Sequence, residues 1–100
     1  MGYFDQIAGV EDLIRAIIDI KNEEECRALL EDLCTIKELQ DISQRLSVAQ
    51  MLDAGKNYQE ISKATGASTA TISRVKKCLV YGSGGYRTAL ERAKSKGEGQ

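Results

Sequence analysis

Residues 58–77 read YQEISKATGASTATISRVKK, and this stretch decides the fold. Gly66 divides it into two short segments with helical apolar spacing. Before the glycine, Ile61, Ala64 and Thr65 are expected to turn inward; after it, Ile72, Val75 and Leu79 recur at i, i+3 and i+7. The pattern predicts two helices meeting at a sharp angle, with Gly66 taking the positive φ that a Cβ opposes. Asn57, with Glu60 three residues on, is placed to cap the first helix. Ser68 is placed to cap the second, expected to run from Thr69 to about Val80.

The other faces of the second helix carry Ser68, Thr69, Ala70, Thr71, Ser73, Arg74, Lys76 and Lys77. A first turn of small polar residues admits close approach to base edges, and threonine methyls suit contact with thymine methyls. Lys63, Lys76, Lys77 and Arg74 have the charge to neutralise phosphates. The helix N-terminus adds free backbone N–H groups. The plainer reading of the same residues is a solvated basic face on a small helical bundle.

Charge favours the first of these readings. The chain of 100 residues has a formal net charge of -1, but the sum hides an asymmetry. Residues 1–55 hold 12 acids and 5 bases, a net of -7, whereas residues 56–100 hold 3 acids and 9 bases, a net of +6. One half is therefore built to meet something anionic, and the acidic half should turn away from it.

Upstream, residues 10–20 place apolar side chains at Val10, Leu13, Ile14, Ile17, Ile18 and Ile20, a wide helical face. Asn22 with Glu25 opens a second helix, whose stripe is Cys26, Leu29, Leu30 and Leu33. Thr35 with Glu38 opens a third, the longest. Its apolar positions Ile36, Leu39, Ile42, Leu46, Ala49 and Leu52 run to Gly55, the expected C-terminal glycine. Residues 82–85, Gly-Ser-Gly-Gly, read as a flexible joint before a last helix over residues 86–95. The expectation is an all-α single domain of about six helices spanning residues 1–100. Residues 1–55 are its scaffold and 56–81 its helix-turn-helix head. The faces of residues 10–20 and 36–52 exceed what one chain this short covers, which predicts a homodimer.

Several classes of function are excluded by composition. There is no histidine, hence no Ser-His or Cys-His pair and no ordinary zinc site from Cys26, Cys34 and Cys78. Three unpaired cysteines read as small buried hydrophobes in a reducing compartment. No apolar run approaches the ~20 residues of a membrane span, and no signal peptide is visible. The reading is a cytoplasmic protein, neither enzyme nor membrane protein, with no metal and no cofactor.

The residues also resemble a known family. LLEDLCT at 29–35, the long helix containing Arg45 and ending in Leu52-Asp53-Ala54-Gly55, QEISKATGAS at 59–68 and TATISR at 69–74 together are similar to the Trp repressor superfamily. The ATISR run at 70–74 stands close to that family's ATITR and is the most specific piece. Within the superfamily the likeness is to the YerC/YecD group. The resemblance implies an intertwined all-helical homodimer whose helix-turn-helix heads bind operator DNA.

It also implies a place for a corepressor. In the Trp repressor the ligand's indole lies between two arginines, matched by Arg45 and Arg74, and its amino end is held by backbone in the region of Leu33 to Thr35. The glycine that gives the indole room is here Val75, a serine used with the ligand is Cys78, and the link at Lys56-Asn57-Tyr58 is one residue shorter. These departures argue against tryptophan and leave any small-molecule effector unidentified. For Arg45 the structural alternative is an ion pair with Asp41 or Asp53. The expected function is a sequence-specific DNA-binding transcriptional regulator, a repressor acting as a homodimer on double-stranded DNA. The alternative is a helical interaction module whose basic face meets an acidic partner protein.

Overall fold

The computed structural model describes residues 3–98. Among these residues there are six α-helices and no strand: a 3-10 turn Phe4–Gln6 is followed by α1 (Val10–Ile18), α2 (Glu23–Leu33), α3 (Ile36–Asp53), α4 (Tyr58–Thr65), α5 (Thr69–Tyr81) and α6 (Gly85–Glu98). The all-α expectation is met. Among the described residues, no helix is long and apolar enough to cross a membrane.

Local chemistry sets the helix starts. Asn57 Oδ1 accepts from the Glu60 N–H at 2.9 Å, and Glu60 Oε1 accepts from the Asn57 N–H at 2.9 Å, a complete capping box. Thr35 and Glu38 repeat it at the start of α3, at 3.1 and 2.8 Å. At α2 the box is only half formed. Asn22 accepts from the Glu25 N–H, but the Glu25 carboxylate reaches one residue further back, to the Lys21 N–H. At the end of α3, Gly55 adopts φ +83, and the Lys56 N–H reaches back to the Met51 carbonyl, closing the helix in a Schellman turn.

The chain packs as two compact units, Met1–Leu39 and Gln40–Gln100. In the first, the turn Phe4–Gln6 packs on α1, and Val10 is buried. In the second, Val48 and Ala49 of α3, Ile61 of α4, Ala67, Ile72 and Val75 of α5 and its turn, and Leu90 of α6 form one core. The packing boundary thus falls inside the stretch assigned to the scaffold. The second half of α3 is part of the wall on which α4 and α5 rest, because its Val48–Ala49 step is fully buried there.

Three further expectations change. The last helix runs from Gly85 to Glu98 rather than over 86–95, so the last glycine of the joint is its first residue. The joint expected to be flexible is constrained at its first residue: a Cβ at Gly82 would stand 2.2 Å from the Cys78 carbonyl oxygen, which accepts the Gly82 N–H at 2.8 Å. Cys78 is exposed and Cys26 and Cys34 are half-buried, so none of the three is the fully buried hydrophobe that composition suggested.

Asp53 at the end of α3 holds α6. Its two carboxylate oxygens take Arg87 at 3.0 Å and Lys94 at 2.7 Å, cations seven residues apart on one face of α6. The hydrogen bond from Lys94, aided by the charges of both cations, outweighs desolvation and holds the Asp53 carboxyl below its ordinary value. A depressed carboxylate pKa contributes stability that is complete above the unfolded value of about 3.9 and is lost as pH falls through the folded value. The Asp53→Asn variant is therefore expected to melt below the parent at neutral pH and to converge with it under acid, below about pH 4. Thermal melts across a pH series check this; parallel profiles would contradict it. Because Arg87 and Lys94 remain 47% and 62% exposed, added salt should shrink the difference.

Candidate nucleic-acid interface

The turn between α4 and α5 is locked by side chains on both sides. Gly66 adopts φ +75. Ser62 Oγ donates to the Ala67 carbonyl at 2.9 Å, Thr65 Oγ1 donates to the Ile61 carbonyl at 2.8 Å, and the Ala67 N–H donates back to Thr65 Oγ1 at 3.1 Å. From α3, Gln44 Nε2 donates to the Thr65 carbonyl at 3.0 Å, so the end of α4 is tied to the central helix. Ile61, Ile72 and Val75 are at most 1% exposed and fill the angle between the two helices. A turn held by four side-chain bonds and an apolar wedge presents α5 in one orientation.

The wedge determines which residues of α5 face outward. Successive side chains are about 100° apart around a helix. With Ile72, Val75 and Leu79 inward, the opposite stripe is Ala70, Ser73, Arg74 and Lys77, all exposed. Thr69 and Lys76 lie on the flank toward α4. Lys63 and Thr69 line one groove of about 380 Å3 together with Tyr58, Gln59 and Ser62. No acidic residue lies in the first turn of α5.

Three of the predicted residues make hydrogen bonds within the head. Ser68 Oγ accepts from the Thr71 N–H at 3.1 Å and donates to Thr71 Oγ1 at 3.1 Å, capping α5. Thr71 is half-buried on the flank away from α4, so it is partly turned from the outward stripe. Ser73 also reaches Tyr58, its hydroxyl donating to Tyr58 Oη at 3.4 Å.

Tyr58 is the residue the sequence reading overlooked. It opens α4, packs against the core, and lies beneath Lys76, whose Nζ is 5.9 Å from the ring centroid. An aromatic flanked by Lys56 and, across the turn, Lys76 was visible as a pattern, but its geometry required the angle between α4 and α5.

The arrangement of the ligand-site candidates is different. Thr35 spends its backbone N–H on Glu38 and its hydroxyl on the Glu38 N–H, while its carbonyl accepts from Leu39 at 3.0 Å. Arg45 is half-buried on α3 and Arg74 is exposed on α5. Val75, beside Arg74, is 1% exposed and shares the core with Val48 and Ala49, so apolar side chains fill the space between α3 and α5. Asp53, one of the two ion-pair partners considered for Arg45, bonds Arg87 and Lys94 instead; eight residues along a helix is about 12 Å, beyond the reach of an ion pair.

The profile for the Trp repressor protein family matches residues 8–94. The chain belongs to the Trp repressor family. Within the family it groups with the uncharacterized protein YerC of Bacillus subtilis (strain 168), to which it is 51% identical over 92 residues, 90% of this chain and 88% of YerC. A crystal structure of a candidate Trp repressor from Staphylococcus aureus superposes with a TM-score of 0.86 at 43% identity, covering 94% of this chain and 95% of that one. A TrpR-like protein from Eubacterium eligens ATCC 27750 gives 0.83 at 45% identity, covering 89% and 92%. The Trp repressor match includes α1 to α5 whole and extends into α6.

Proposed function

We propose that this Trp repressor family member is a sequence-specific DNA-binding regulator of transcription, a cytoplasmic repressor that grips its operator as a homodimer. The observation that carries the reading is the outward stripe of α5. Small residues lead at Ala70 and Ser73, cations follow at Arg74 and Lys77, and no acid interrupts them. That order suits a helix entering the major groove by its first turns, with its later turns over the backbone. As in helix-turn-helix dimers generally, two heads would read half-sites about 34 Å apart or a multiple of that.

The dimer is supported by apolar side chains that a single chain leaves exposed. Ile17 is 50% exposed, Ile18 64%, Leu33 54% and Ile36 77%. A partner chain covering these side chains would bury the apolar faces that the sequence places on α1 and at the start of α3. Tryptophan is not proposed as corepressor: Val75 stands where the family resemblance places the glycine beside the indole, and its burial argues against room for that ring.

The test is a mobility-shift titration of the full chain on genomic fragments across a salt series, with and without L-tryptophan. A dimer placing Lys63, Arg74, Lys76 and Lys77 of both heads on phosphates should give a log–log slope of roughly -7 or steeper, about -0.9 for each contact. Tryptophan should leave the shift unchanged. Absence of any shift at low salt would overturn the reading and favour an interaction module whose basic face meets an acidic protein.

A further inference from the structure

A second basic groove shares Tyr58 with the groove that Lys63 and Thr69 line. It has a volume of about 460 Å3 and is walled by Lys56 of the α3–α4 link, by Lys76 of α5 and by Arg87 of α6, with Asn57, Tyr58 and Val80 between them. Three cations from three separate elements converge here. The acid that shares the groove, Asp53, already divides its charge between Arg87 and Lys94. Lys56 and Lys76 are exposed, and neither has a carboxylate partner among the described ion pairs. Like charges are gathered into a concavity only at an energetic cost, which a polyanion lying across them would offset.

Tyr58 relates this groove to the first. Tyr58 lines both: Lys63 and Thr69 share one groove with it, Lys56 and Lys76 the other. Tyr58 is thus the ridge the two troughs share, and its hydroxyl, already accepting from Ser73, keeps a proton to donate. Lys76 Nζ stands 5.9 Å from the ring centroid, which places its charge at the Tyr58 wall of the groove.

We propose that this groove is a second phosphodiester-binding site, in which one DNA strand crosses the Tyr58 ridge and lays neighbouring phosphates in the two troughs. Lys56 and Arg87 join Lys76 as backbone contacts outside the helix-turn-helix itself. The inference rests on the DNA-binding reading above and deepens it, by making the α3–α4 link and the start of α6 part of the grip. The site carries no sequence information, because a phosphate looks the same at every step.

The experiment is a salt series of binding titrations on a duplex of unrelated sequence, using the full chain. Lys56→Ala is expected to lower the magnitude of the log–log slope by about 0.9 per engaged head, and to weaken unrelated and operator duplexes by the same factor. Lys56→Glu should weaken both further, and Lys96→Ala, exposed on α6 away from the groove, should keep the parental slope. Parental slopes in both Lys56 variants, with the parent binding DNA, would overturn this proposal alone. A parent that binds no DNA at any salt would overturn the underlying reading as well.

Discussion

Ala70→Glu is expected to cost at least 100-fold in operator affinity while leaving the fold as stable as the parent's. Ala70 is the second residue of α5, exposed, on the stripe opposite Ile72, Val75 and Leu79. The first turn of α5 holds no acid, so a carboxylate there meets the positive end of the helix dipole without competition, worth about 0.3–1 kcal/mol. The lower helix propensity of glutamate takes back a few tenths of a kcal/mol, so the melting temperature should hold or rise slightly. Against DNA the same carboxylate faces phosphates and acceptor-rich base edges. A like charge at a desolvated contact costs several kcal/mol, and every 1.4 kcal/mol is tenfold. Melting and mobility shift on one preparation separate the two effects. A variant that folds and binds as the parent does would remove residues 68–77 as the reading element. Thr71 is a poorer position for this test. Its backbone N–H and hydroxyl complete the Ser68 cap, so replacing it disturbs the helix start along with any contact.

The largest loss of stability is expected from Ile72→Ala. Ile72 is fully buried, at the junction of α5 with α3 and α4, in a core of only seven buried residues. Truncating a buried isoleucine to alanine costs about 2–5 kcal/mol, depending on how far the site collapses. Here α3 is anchored by Val48 and Ala49 and the α4 turn by the Gln44–Thr65 bond, so collapse is restrained and the upper part of that range applies. Against a total of 5–15 kcal/mol the head is brought to the edge of unfolding. At roughly 4–8 °C per kcal/mol for a domain this size, the melting temperature should fall by at least 10 °C. Calorimetric melts at matched protein concentration check it, since association adds to apparent stability. A fall of only a few degrees would mean that the α4–α5 wedge is not what holds the head.

Much of the fold is legible in the sequence because its punctuation is local. Asn57 with Glu60, Thr35 with Glu38, and Ser68 with Thr71 are pairs three residues apart, and three residues is the reach of a cap. Where a rival lies just as close, spacing decides less: Glu25 bonds the Lys21 N–H rather than completing the box with Asn22. The candidate interface is legible to the extent that it lies on one helix, since Ile72, Val75 and Leu79 define an inner face and thereby an outer one. It is illegible where it depends on the angle between helices, as with Tyr58 beneath Lys76, or Lys56 and Arg87 across one groove.

By itself, then, the sequence determined six helices, the helix-turn-helix between Asn57 and Val80, and the division of charge between its acidic and basic halves. All of these are properties of residues within a turn or two of each other, or of simple sums over the chain. Tertiary structure alone decided that Asp53 holds Arg87 and Lys94, 34 and 41 residues away, and that Cys78 stays in solvent. It also decided that the second half of α3 belongs with the head. The physical reason is common to these cases: apolar spacing tells a side chain to turn inward, but only the packing of helices distant in sequence determines what it meets there.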